Sequence, residues 1–568
     1  MAEPEQPDDG APDLGPDGTP TLVVDLREEP GIREDAGAAP AAEPDWPDAG
    51  WPDPGWQPLG TGEHASQRTS DQSGPGAGPA EATNPTIVLP ADDDEIVRAV
   101  PPPLYEQGDG ITRALCAHAH LYHPMAKGVA DGLLGGNYNA AAPVWGVDLV
   151  ALMRHARESV QRWDARDQQL RWVTVSGFVI ALFTAAIVNL GGLPWRVGLT
   201  LLFASPIYVF LASFLVVHQH YAGTRARAVA AMKDPTPVRD LAGAGLSPDD
   251  VAALEELATA NVVAFAGSVP FVGDGRMLEN WTLSIDLSRA RRDPGAARPD
   301  GADVTASGLH HHVMRRLRQG PLSGVRVEQR LYARGGNARK IEGLCDGWTH
   351  ARCHPRARID PEVVDSFADA PAVFARTYVA AQRISWGGQL VVTLLLHARL
   401  HGTVLQIEAS EHVLPPLKGR YAKVGDFPDG RMRVMRHTLA ASWRSTGRLI
   451  SQCWPRLAAA RRNGRNWRRI CRRNEKAHRD GVPFNYGASE SLREQISDPG
   501  RMLYYALGDE VMSAVPLRRA ALRAVAEYVE QFGYDVTDLR EQEKQIDMVG
   551  VVRLSDAAAK LISMGAKS

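Results

Sequence analysis

The chain has 568 residues, with 63 Lys or Arg and 67 Asp or Glu, for a net charge of −4. That average conceals a split: residues 1–100 hold 22 acidic and 4 basic side chains, and the remainder holds 59 basic and 45 acidic. Five cysteines in this length exclude a disulfide-framed secreted domain, and the composition excludes a fibrous or wholly disordered chain.

Residues 1–100 contain 16 Pro and few large apolar side chains. Such a segment buries too little apolar surface to offset backbone ordering, about 1–2 kcal/mol per residue. It reads as a disordered acidic tail. It does not read as a secretory signal, because MAEPEQPDDG has neither a basic start nor an apolar stretch. Leu22, Val23, Val24 and Leu26 form an apolar island. Trp46, Trp51 and Trp56 recur every five residues in WPDAGWPDPGWQPLG and are the tail's candidate partner-binding residues; the alternative is a solvated low-complexity repeat.

Residues 101–170 read as a mostly helical cytoplasmic segment. Cys116, His118, His120 and His123 cluster in CAHAHLYH, but residues two apart on a helix face different ways. Only His120 with His123, or Cys116 with His120, can share a face, which argues against a local metal site.

Two charge-free stretches follow, Trp172–Leu190 and Val197–Val217. Each is about 20 residues, enough to span a hydrocarbon core of about 30 Å. GGLPWR joins them as a tight turn. Arg154, Arg157, Arg162, Arg166 and Arg171 precede the first, Arg225, Arg227 and Lys233 follow the second, and the turn holds Arg196 alone. These flanks predict a transmembrane hairpin over 171–218 with both termini cytoplasmic, in a multi-pass plasma-membrane protein. Neither span carries an Asp, Glu, Lys, Arg or His, which argues against a transporter. Gly177, Ala181 and Ala185 share a helical face, so assembly of hairpins into a homo-oligomeric pore is one alternative.

Residues 235–440 read as a cytoplasmic mixed α+β domain containing antiparallel sheet. SPDDVAALEELATA opens as a helix capped by Ser247. NVVAFAGSVPFVGDG, ENWTLSIDLSRA and VRVEQRLYARGG are strand-like, and HHHVMRRLRQ is helical. QLVVTLLLHARL and TVLQIEASEHVLPP pair across His401-Gly402 as a hairpin.

The strings NVVAFAGSVPFVGDG and ENWTLSIDL resemble a family of uncharacterised actinobacterial two-helix membrane proteins. The resemblance continues at GVDLV (146–150), ISWGGQL (384–390), EAS (408–410) with LPPL after it, PFNYGASESLRE and EYVEQFGYDVTDLREQ. It implies a two-helix anchor with a cytoplasmic domain and carries over no activity and no catalytic residue.

Chemistry is harder to place. Gly273 and Gly275 read as a turn, since neither GDG nor ARGGNARK matches a phosphate-binding loop. Cys345, His350, Cys353 and His354 supply four zinc-type ligands in CDGWTHARCH, but in a spacing unlike the usual separated pairs, so ordinary loop residues are the preferred reading. His310–His312 open a basic helix and read as a solvated helix end. No cofactor is expected. Asp286, Glu328 and Glu408 are the carboxylates an enzyme with its site in 260–440 would use.

Residues 441–568 read as a basic helix and a C-terminal helical region. Twelve Arg or Lys lie within 444–479, with Glu475 the single acid and Trp443, Trp454 and Trp467 in or beside the run. Arg461, Arg462, Arg465, Arg468, Arg469, Arg472 and Arg473 recur at helical spacing. This face suits anionic lipid first and an acidic partner, the chain's own tail included, second; nucleic acid and a bland solvated face come behind, and no specific nucleic acid is expected. Together these features predict a non-catalytic scaffold or regulatory protein that recruits a protein partner, or further copies of itself, to the inner face of the plasma membrane.

Overall fold

A computed structural model describes residues 110–541, apart from 134–138, 193, 235, 242–243, 289–303, 321, 323, 346–353, 423–430, 481–483, 502–503 and 538. The acidic tail and its three Trp lie outside the described residues.

In chain order the main elements are α1 (Gly110–Leu121), α2 (His123–Gly132), α3 (Leu149–Asn189), α4 (Trp195–Lys233), α5 (Pro248–Ala258), β1 (Val262–Phe265), β2 (Arg276–Asp286), α6 (Ala306–Gln319), β3 (Val325–Arg334), α7 (Pro361–Asp369), β4 (Ala375–Ser385), β5 (Leu390–His401), β6 (Val404–Leu414), α8 (Arg431–Arg479) and α9 (Tyr504–Gln531). Two long apolar helices therefore precede a mixed α+β domain.

Helix α3 runs unbroken for 41 residues, so the basic segment before residue 171 and the apolar span after it are one rod. Asp148 starts it: its carboxylate accepts the N–H groups of Val150 and Ala151 at 3.0 and 3.1 Å. This satisfies two amides that the first turn leaves unpaired. Helix α4 returns antiparallel. The pair approach closely because small residues lie between them. A Cβ on Gly177 would sit 2.1 Å from Val209 Cγ2, and Ser205 Oγ donates to the Gly177 carbonyl at 2.8 Å. Gly177 thus serves packing within the hairpin. The outer surface stays bare: Phe178, Phe183, Phe203 and Leu190 are 65–86% exposed. Only 11% and 17% of the two apolar windows are buried inside the chain. These helices do not form the core of a soluble fold.

The sheet has six strands in the order β1-β3-β4-β5-β6-β2. β1 runs parallel to β3 and every other neighbouring pair is antiparallel. The β5–β6 hairpin turns at Gly402, with His401 opposite Val404, as the sequence predicts. The run NVVAFAGSVPFVGDG departs from its strand reading: only Val262–Phe265 pairs, and Gly267, Pro270, Gly273 and Gly275 break the remainder into a loop. Strand alternation sorts the two faces. Val379, Leu394, Leu396, Ile407, Leu283 and Ile285 point to one side, where Leu309, Val313 and Leu317 of α6 and Leu517, Ala521 and Val525 of α9 cover them.

Helix α9 begins well before the VPLRRAALRA run and carries Pro516 inside it. Proline has no N–H for the Met512 carbonyl four residues back. Arg383 Nη1 from β4 donates to that carbonyl at 3.2 Å and so repairs the ladder. Helix α8 is 49 residues long, and the sequence boundary between 440 and 441 falls inside it.

Gly177→Leu should force α3 and α4 apart. The expected outcome is loss of the Ser205–Gly177 contact and a melting temperature several degrees lower for the detergent-solubilised chain, as overpacking costs about 1–3 kcal/mol. Ala185→Leu, about two turns along the same face but at an exposed position outside that contact, is the comparison.

Candidate functional site

The second face of the sheet is charged. Alternate positions of β3 present Arg326, Glu328, Arg330 and Tyr332 to it, all buried. Arg330 is the centre. Its Nε donates to Glu328 at 2.6 Å, Nη1 to Asp274 at 3.1 Å and Nη2 to Gln382 at 2.5 Å. The Tyr332 hydroxyl donates to the other oxygen of Asp274 at 2.6 Å. Arg326 donates to Glu328 at 2.8 Å. The Trp145 ring lies 3.8 Å from the Arg330 guanidinium carbon. Two guanidiniums and two carboxylates balance, which is what makes burying them tolerable. Burial pushes the Glu328 carboxyl up, but Arg330 and Arg326 outweigh it and hold it below the usual carboxylate range.

The loop that supplies Asp274 is held from behind. Glu494 accepts the N–H groups of Gly273 and Gly275 at 2.9 and 3.0 Å. Gly275 has φ +89, and a Cβ there would lie 2.3 Å from the Val413 carbonyl oxygen, so only glycine fits. These two amides already have an internal carboxylate, which leaves no anion cradle for a nucleotide. Next to Glu494, the buried Arg493 donates to the carbonyls of Gln389 and Pro415 at 2.8 and 2.9 Å. Gly146 lies against Gly388, so the segments GVDLV, PFVGDG, ISWGGQL, LPPL and GASESLRE meet in one joint. It ties the start of α3 to the sheet.

Helix α8 leaves this domain and packs on the hairpin. Trp443 meets Phe210 and Phe214 edge-on at 4.9 and 5.7 Å. Leu449 and Cys453 bury against Leu170 and Val217, where the apolar spans end. Arg456 stands 3.7 Å from Asp167. Beyond that contact, Arg461, Arg462, Arg465, Arg468, Arg469, Arg472 and Arg473 are all exposed. Arg461/Arg465, Arg465/Arg469, Arg468/Arg472 and Arg469/Arg473 are like-charge pairs four apart, each disfavouring the helix by about 0.2–0.5 kcal/mol. An anionic surface would relieve that repulsion.

The other sequence candidates fall as follows. Glu328 is enclosed by its arginines. Glu408 pairs with Arg376 at 3.3 Å, and Asp286 accepts the Ser288 N–H at 2.9 Å at the far edge of the sheet. Three strand spacings, about 4.8 Å each, separate Glu328 from Glu408, so the three do not converge on one cleft. Cys345 is half-buried among apolar side chains and His354 bonds to the Pro355 carbonyl at 3.0 Å; His350 and Cys353 lie outside the described residues. His310 is not a solvated helix end. It is fully buried and accepts the Ala398 N–H at 3.2 Å, with burial pushing its imidazole down to about 3. Sequence reasoning passed over Trp145, Asp274 and Glu494. Asp274 and Glu494 lie in the quoted motifs and Trp145 directly precedes GVDLV, but the pairing between them is long-range.

Residues 280–557 match the family model described as the AbeC-like domain. That stretch runs from within β2 to beyond α9. No curated protein and no solved structure gives a significant match.

Arg330→Met removes the central cation and leaves Glu328 and Asp274 buried without it. We expect destabilisation of about 3–5 kcal/mol, read as loss of folded material or a collapsed unfolding midpoint, whereas Arg376→Met, at an exposed pair, should cost less than about 1 kcal/mol.

Proposed function

We propose that this is a membrane-anchored scaffold or regulatory protein that recruits partners to the inner face of the plasma membrane. The hairpin spans the bilayer over 172–190 and 197–217, and both ends of the chain are cytoplasmic. The observation that carries this reading is the placement of α8. It packs where the basic flanks meet the apolar spans and then extends a bare arginine face from that level. The exposed apolar belt of the hairpin supports the anchor, and Trp172 and Trp195, 66% and 63% exposed, suit the two interfaces. Each arginine near an anionic leaflet contributes about 1 kcal/mol of attraction, so seven can hold the distal half of α8 on the surface. The resemblance to actinobacterial two-helix membrane proteins agrees with this arrangement. On this reading the Trp repeat of the tail is the partner-binding element, and a second copy is the alternative occupant.

The test is photo-crosslinking in cells from probes at Trp51 and Asn466. The account predicts a reproducible protein adduct at Trp51 and anionic-lipid adducts at Asn466, the latter lost when the seven arginines are changed to Gln. Adducts only within the chain or between copies would contradict a scaffold, and Asn466 adducts unchanged by the Gln variant would contradict the lipid face.

A further inference from the structure

At the foot of the hairpin, three buried side chains from two helices converge. His120 lies on the last turn of α1, and His155 and Glu158 share one face of α3 at a spacing of three. They are 0%, 2% and 8% exposed. One ligand-type atom of each lies within 4.8 Å of the others. His120 Nε2 and His155 Nδ1 are 2.8 Å apart.

We propose that His120, His155 and Glu158 bind a divalent transition-metal ion, with zinc the best fit. Two imidazoles and a carboxylate with a fourth position left open is a common zinc donor set. The orientation of His155 is already set for it. Its Nε2 lies 3.0 Å from the Val238 carbonyl and donates to it, which leaves the Nδ1 lone pair facing His120. A backbone carbonyl behind a ligand histidine is the usual outer support, and it fixes the tautomer. His120 is fully buried, with its Nε2 facing that lone pair.

The distances require a small adjustment. Nitrogens at about 2.0–2.1 Å from a tetrahedral ion stand roughly 3.3 Å apart, about half an ångström wider than the present hydrogen bond. Glu158 is held by two cations: Arg162 at 2.6 Å, and Arg227. They occupy the place of a positive ion. Arg227, 49% exposed, can swing into solvent and yield the carboxylate, exchanging one cation for another. On binding, the His120 proton moves from Nε2 to Nδ1. Nδ1 has no hydrogen-bond partner, which weakens the site relative to one with both histidines supported. The site joins α1 to α3 and, through Val238 and Arg227, to the segment after the second span and to α4. A bound ion would lock the base of the hairpin.

The experiment uses the full-length chain purified in detergent, loaded with Zn²⁺, dialysed and analysed for zinc, with Co²⁺ substitution read by its visible absorption. We expect about one zinc per chain and a cobalt spectrum of low coordination number. His155→Ala and Glu158→Gln should each weaken binding about tenfold or more. Arg227→Gln should tighten it, a result that a purely structural hydrogen-bonded triad would not give. Glu158→Gln is nearly isosteric, so it keeps the test valid if His155→Ala misfolds. Wild-type protein that leaves dialysis without zinc overturns the proposal. So does zinc retained equally by the His155 and Glu158 variants, or zinc lost in Cys345→Ser, which would assign the ion to the 345–354 cluster.

Discussion

Two helices whose apolar surface is left mostly uncovered by the described residues set the terms for the rest of this structure. Helix α8 covers Phe210 and Phe214, but among the described residues Phe178, Phe183, Leu190 and Phe203 stay 65–86% exposed. A surface of that kind, at about 25 cal/mol per Å², cannot face water in a stable monomer, so it needs a bilayer or a partner of the same character. The close contact at Gly177 and Ser205 shows that the hairpin is a packed unit rather than two independent rods.

The remaining architecture stiffens the foot of that hairpin. Helix α3 does not stop where the apolar span begins. It continues to Asp148, whose carboxylate caps the helix and also accepts Arg239 Nε at 3.0 Å. Three residues earlier, Trp145 covers Arg330 in the sheet. A buried four-charge network tolerates little displacement, because moving any member strands its partner. The sheet domain is therefore coupled to the hairpin through packed side chains. Helix α8 adds a second tie, from the domain back to the end of the apolar spans.

How much of this was legible in the sequence depends on range. The hairpin, its basic flanks, the β5–β6 turn, the Ser247 cap and the arginine face all rest on local patterns, and the structure has helices and strands there. The loop after Phe265 was misread because β-branched residues outvoted its glycines and proline, although those breakers end the strand. Arg330 lies in the strand-like run VRVEQRLYARGG, where nothing local marks its role. Its role depends on Asp274, Gln382 and Trp145, which are 56, 52 and 185 positions away. The histidines illustrate the same limit. Within CAHAHLYH, helical spacing argues only against a local metal site. The partners of His120 are on another helix, and only the three-residue spacing of His155 and Glu158 hinted at them.

The central claim is that the hairpin crosses the bilayer with the α+β domain on the cytoplasmic side. A cysteine at Gly192, in the turn between α3 and α4, tests it most directly when probed with a membrane-impermeant maleimide beside a cysteine at Ser288 in the sheet domain. The account predicts labelling at 192 in intact cells and at 288 only after lysis. Labelling at 192 only after lysis, or at 288 in intact cells, would contradict it.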